Sequence, residues 1–289
     1  MLTGDFVRKT RLSLSQLYPQ QEASALCGMI CTEILGLSRY AHIVSPKLEI
    51  DPAALAKASS AVERLLSFEP VQYVLGYADF CSRRFRVGPG VLIPRPETER
   101  LCELALCEAQ ALRPVRILDL CTGSGCIAWT LCLDSPGSEV VGVDISREAL
   151  RYACSQPFDG PSRPQFVLAD IFDDRAMEGV LGEGHSFDIL VSNPPYIYES
   201  EKEKMRRNVL DWEPENALFV PSADTQAFNR RLGEIASRAL RPDGVAIIEI
   251  NENSGLESLE TFARNFTSCS LVKDCFDKDR FVLCRRPIS

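Results

Sequence analysis

At 289 residues the chain is long for one hydrophobic core, so one large and one small domain are expected. Apolar residues make up 45% and charged residues 25%, and the net charge of −8 argues against a free-standing nucleic-acid binder, which carries a basic field. No apolar run reaches the roughly 18 to 20 residues of a membrane helix, and Met1-Leu2-Thr3-Gly4-Asp5 has an early acid and no apolar signal core, so a cytoplasmic protein is expected.

Residues 1–72 read as helical. Leu26, Ile30, Ile34 and Leu37 share one helical face. Asp51-Pro52 is an N-cap with proline at the first helical position, ahead of a second face formed by Leu55, Ala58, Val62, Leu65 and Leu66. No titratable cluster stands here, which leaves packing or partner recognition as the segment's task. Over 73–96 the character changes: Phe80, Phe85, Val87 and the turn Gly88-Pro89-Gly90 predict a β-hairpin connector. Ile93-Pro94-Arg95-Pro96 is rigid and leads into a helix whose first turn carries Glu97 and Glu99, where carboxylates suit the helix dipole.

Over 97–289 strands alternate with helices. Apolar runs at 115–120, 140–143, 166–168, 187–191 and 245–250 read as buried strands, and 271–272 with 281–283 as a closing hairpin. That alternation means an α/β domain with a doubly wound, mostly parallel sheet. The twelve cysteines form no Cys-x-x-Cys pair and the histidines number two, His42 and His185. Zinc needs ligand pairs at close spacing, so no metal is expected, and the cysteines read as small buried apolar residues in a reducing compartment.

The chemistry concentrates at strand ends, where open α/β sheets bind ligands. Cys121-Thr122-Gly123-Ser124-Gly125 follows the first strand as a glycine-rich turn that lets backbone approach a ligand. Asp144, ending the second strand, is placed to accept from ribose hydroxyls, and Asp170, ending the third, from an adenine amino group. Together they indicate an adenosine compound. Asp also caps strand ends for structural reasons alone, and Gly123 to Ala128 matches the dinucleotide pattern, so a nicotinamide enzyme stays open here.

The fourth strand stops at Ser192-Asn193-Pro194-Pro195-Tyr196, because proline cannot donate to the ladder. A planar amide or exocyclic amine has two N–H donors and a delocalised lone pair. The Asn193 side-chain oxygen and the Pro194 carbonyl are acceptors that would hold both hydrogens and leave the lone pair aimed out of plane. Tyr196 is placed to stack on such a group or to face a cation. The plain alternative is a proline turn that ends a strand and does nothing more.

With these residues in hand the chain resembles the HemK/PrmC family, protein-(glutamine-N5) methyltransferases of peptide chain release factors within the class I S-adenosylmethionine-dependent methyltransferases. The resemblance rests on Val71-Gln72-Tyr73-Val74-Leu75-Gly76, Ile93 to Glu99, Leu118 to Gly125, Ser192 to Tyr196 and Glu213-Pro214, and covers nearly the whole chain. It implies a Rossmann-like fold with the seventh strand antiparallel, a substrate-recognition role for 1–72 and a methyltransferase domain over 97–289. It implies S-adenosylmethionine (product S-adenosylhomocysteine) against Cys121 to Gly125, with Asp144 on the ribose, Asp170-Ile171 near the adenine and Asn193 near the methionyl end. The implied partner is a class I release factor, whose Gly-Gly-Gln glutamine meets Asn193, Pro194, Pro195 and Tyr196; a monomer with no direct nucleic-acid or membrane partner is expected. Two positions depart from the family. Cysteine stands at 121 in place of glycine, strained wherever φ is positive and the motive for a non-catalytic alternative, and Asn251 stands where glycine is usual. Adenine-N6 methyltransferases share Asn-Pro-Pro-Tyr, but the acidic charge and the lack of a basic recognition domain disfavour them here.

Overall fold

The computed structural model describes residues 1–110, 114–160, 162–182, 184–220 and 224–288. The chain divides into two units. The first comprises Met1–Tyr77 with Arg206–Trp212, the second Ala78–Met205 with Glu213–Ser289.

The first unit is helical: α1 (Thr3–Leu14), α2 (Gln20–Met29) running on as a π turn over Ile30–Ile34, α3 (Ala41–Val44), α4 (Pro52–Leu66) and α5 (Val71–Leu75). Phe6, Leu14, Leu26, Ile30, Ala58 and Leu65 form its buried core. Asp51 caps α4 by accepting the Ala54 N–H at 3.0 Å. The distant segment Arg206–Trp212 completes the unit. Arg206 pairs with Glu22 at 3.0 Å, the Arg207 guanidinium lies 4.5 Å from the centre of the Phe68 ring, and Trp212 donates to the Ser67 carbonyl at 3.2 Å.

The second unit opens with β1 (Tyr77–Phe80) and β2 (Arg83–Arg86), a two-stranded sheet. Its reversal falls at Cys81 and Ser82, with φ of 46° and 59°, and not at Gly88-Pro89-Gly90. The Glu99 carboxylate accepts the Cys81 N–H at 2.9 Å and holds that tight turn. The glycines serve close approach instead: a Cβ at Gly88 would collide with the Tyr152 hydroxyl, and one at Gly90 would lie 2.5 Å from the Glu148 side chain.

Seven further strands form one sheet: β3 (Arg116–Leu120), β4 (Glu139–Asp144), β5 (Gln165–Leu168), β6 (Phe187–Ser192), β7 (Leu240–Glu249), β8 (Phe266–Lys273) and β9 (Asp279–Pro287). Their spatial order is β5-β4-β3-β6-β7-β9-β8, with β9 antiparallel to both neighbours and the other pairs parallel. Alternation along each strand splits the core. Leu118, Leu190, Ala246 and Ile248 pack with Met177, Leu232 and Phe262 from α9 (Asp174–Leu181), α10 (Ala227–Ala239) and α11 (Gly255–Phe262). Ile117, Ile189, Val191 and Ile247 face the other way, against Leu101, Ile127 and Trp129 of α6 (Glu99–Ala109) and α7 (Cys126–Asp134). A further helix, α8 (Arg147–Cys154), flanks β4 and β5.

Two buried carboxylates in the sheet generate tests. Asp188 in β6 accepts the Arg116 N–H at 2.7 Å and pairs with Arg241 at 2.6 Å. Asp188→Ala strands both donors and is expected to cost about 2–3 kcal/mol in urea unfolding, with an unchanged m-value. Asp119, near the end of β3, accepts the Thr122 hydroxyl at 2.5 Å. Burial pushes its carboxyl up to about 7, so the neutral form favours the folded state. Its contribution is complete below the ordinary carboxyl range and is lost as pH rises through about 7. Asp119→Asn is therefore expected to lessen the fall in Tm between about pH 5 and pH 8, measured by calorimetry.

Candidate active site

Parallel pairing brings the C-terminal ends of β3, β4, β5 and β6 to one edge of the sheet, with the strand order reversing between β3 and β6. A cavity of about 260 Å³ opens there. Cys121, Thr122, Gly123, Ser124, Asp144, Asp170, Ile171, Asn193 and Pro195 all line it. Gly125, Pro194 and Tyr196 stand outside its lining.

The glycine-rich turn folds back over β4. Thr122 N–H donates to the Val143 carbonyl at 3.0 Å, and Gly123 N–H donates to the Asp144 carboxylate at 2.8 Å. The second Asp144 oxygen accepts the Ser146 N–H at 2.8 Å, and burial raises the acid's pKa. Gly125 starts α7 with φ of 77°, and a Cβ there would meet the Phe166 ring at 2.9 Å. Cys121 does occupy a left-handed conformation, φ 60°, where a side chain costs about 1–2 kcal/mol relative to glycine. Its thiol is pushed up by burial, then by the Asp144 charge. Asp170 accepts the Phe172 N–H at 2.9 Å, which shapes the turn after β5. Ile145 and Phe172 leave apolar surface at the mouth, 58% and 48% exposed.

The opposite wall is the segment after β2. The buried Glu213 carboxylate accepts the Ile93 N–H at 3.0 Å and pairs with Arg95 at 2.6 Å. That clamp fixes Pro94 and Arg95 against Pro214, and all three residues line the cavity.

Behind the Asn193 turn lies a buried polar chain. Asn193 Nδ2 donates to Thr98 Oγ1 at 3.0 Å, and Thr98 Oγ1 donates to Glu249 Oε2 at 2.8 Å. Tyr196 Oη donates to the other Glu249 oxygen at 2.9 Å. Glu249 is fully buried, which pushes its carboxyl up to about 7. Burial first, and the Glu249 charge second, raise the Tyr196 phenol. Asn251, at the second departure from the family pattern, donates to the Tyr196 carbonyl at 3.1 Å and to Glu201 at 2.8 Å. The roles of Thr98, Glu249 and Asn251 in this chain rest on partners distant in sequence. Glu249 had one legible signal, a lone charge within the apolar run 245–250.

Residues 113–279 match a methyltransferase-domain family and residues 5–76 match a PrmC N-terminal domain. A release factor glutamine methyltransferase of Bacteroides thetaiotaomicron is 41% identical over 277 residues, 96% of this chain and 97% of its own length. One of Flavobacterium psychrophilum is 34% identical over 286 residues, 98% of each chain. A solved 16S rRNA N2 G1207 methyltransferase of T. thermophilus, in complex with AdoMet and guanosine, is 20% identical with a TM-score of 0.49, over 73% of this chain and 49% of that one. With matches to both domain families and relatives aligned end to end, the chain belongs to the release factor glutamine methyltransferase family.

Proposed function

We infer that this protein transfers a methyl group from S-adenosylmethionine to the side-chain amide nitrogen of a glutamine in peptide chain release factors. The carrying observation is Asn193, held on a buried scaffold at the edge of a cavity walled by Asp144 and the glycine-rich turn.

The cavity's donor set fits an adenosine. Each Asp144 oxygen accepts one backbone N–H and keeps a lone pair, which suits the two hydroxyls of a ribose. Asp170 supplies an acceptor for an exocyclic amine, and Ile145 and Phe172 offer apolar surface to a flat base. When bound, S-adenosylmethionine supplies a methyl group activated by a positively charged sulfur. The protein's own work is orientation. The Asn193 oxygen and the Pro194 carbonyl accept the two glutamine N–H groups, hold the amide plane and leave its lone pair facing outward. Their dipoles also favour the positive charge that develops on nitrogen. No general base is needed, because the methylated nitrogen sheds its extra proton to water. The glutamine is that of the Gly-Gly-Gln loop, and residues 1–72 serve to recognise the factor that bears it.

Incubation with labelled S-adenosylmethionine and purified release factor is expected to place label on that glutamine; label elsewhere or nowhere overturns the assignment. Asn193→Ala is expected to lower kcat by about 10²–10³ in the same assay. Asp144→Ala removes the acceptor for two backbone N–H groups and for the ribose, and is expected to weaken S-adenosylmethionine binding by about tenfold or more in calorimetry.

A further inference from the structure

We propose that Thr98 and Glu249 are positioning residues that lock the Asn193 amide with its oxygen toward the cleft, so that the site accepts an NH₂ group and refuses a carboxylate. This deepens the reading above and rests on it.

The argument is a count of protons. A threonine hydroxyl has one hydrogen to give. With Glu249 ionised, Thr98 gives it to Glu249 Oε2 at 2.8 Å, and both side chains are buried. What Thr98 Oγ1 turns toward Asn193, 3.0 Å away, is therefore a lone pair. Only the Asn193 nitrogen can answer it. A flipped amide would set two acceptors against each other, an arrangement that buried networks avoid. The second Glu249 oxygen is tied to Tyr196 Oη at 2.9 Å, and the Tyr196 carbonyl is tied to Asn251 at 3.1 Å, so the carboxylate is braced on both sides. Thr98 begins α6, Glu249 ends β7 and Asn193 follows β6, so three rigid elements meet in this chain of bonds. Asn193 and Thr98 line the cavity, and the oxygen left over on Asn193 is the group that meets an incoming side chain. A glutamine NH₂ donates to it; a glutamate carboxylate presents only lone pairs and is repelled.

The test follows the Asn193 side chain directly. In protein labelled with ¹⁵N-asparagine, its amide signal is assigned by its loss in Asn193→Asp. At about pH 8, where Glu249 is mostly ionised, one Nδ2 proton is expected to exchange with water at least about tenfold more slowly than free asparagine. That protection is expected to persist in Thr98→Ser and vanish in Thr98→Val, or in Thr98→Ala if the valine variant fails to fold. In methylation assays the same Thr98→Val change is expected to lower kcat about ten- to hundredfold, with S-adenosylmethionine affinity within about threefold of wild type, and Thr98→Ser is expected to restore it. A release factor carrying glutamate in place of the glutamine should inhibit the valine variant more strongly, relative to wild type. An unprotected Asn193 amide in the wild type, protection that survives Thr98→Val, or unchanged kcat in that variant each overturns the proposal. A wild-type protein that methylates no release factor overturns the functional reading alone, since the exchange experiment still decides the amide's orientation.

Discussion

Parallel pairing is the constraint from which the site follows. Strands laid side by side in one direction must finish along one edge, and there the ladder leaves backbone groups without partners. In this protein the finishing residues answer one another. Asp144, at the end of β4, takes N–H groups from the turn after β3 and from the start of α8. Ser192, at the end of β6, donates its hydroxyl to the Leu120 carbonyl of β3 at 2.7 Å. Cross-links of this kind hold adjacent strand ends at fixed spacing, and the cavity is the space they frame. Its outer wall depends in turn on Glu213, a buried acid that grips the Ile93–Arg95 stretch from a distant point in the chain.

The same edge concentrates buried acids. Asp119 and Glu249 are fully buried, and burial raises both carboxyls to about 7. Such groups are expensive to desolvate and contribute little to stability by being present. Each, however, meets a hydroxyl whose direction it decides, Thr122 for Asp119 and Thr98 for Glu249. Their role is to choose among conformations that an apolar replacement would leave equivalent.

Much of this was legible in the residues. The apolar runs gave five parallel strands, and glycines at 123 and 125 marked a turn that takes up φ of 56° and 77°. The acids at 144 and 170 and the amide at 193 lie at strand ends because such positions favour short polar side chains. What stayed hidden depended on long-range pairing. Thr98 reads as a helix-start residue, and its partner Glu249 lies 151 residues away. The hairpin reversal at Cys81-Ser82 carries no glycine, since the distant Glu99 supports it. Asn251 looks like a loss of backbone freedom by local rules, yet its side chain ties the Tyr196 carbonyl to Glu201. Local signals show where the chain turns; they do not show which remote group receives a proton.

The excursion of Arg206–Trp212 into the helical unit has a consequence for biosynthesis. The chain departs after Tyr77 and returns 128 residues later to lay Arg207 over Phe68 and to occupy the Ser67 carbonyl. A nascent polypeptide emerging N-terminus first therefore holds an unfinished helical unit until most of the sheet's parallel strands have left the ribosome. A fragment cut at Tyr77 therefore lacks the segment whose Arg207 lies over Phe68.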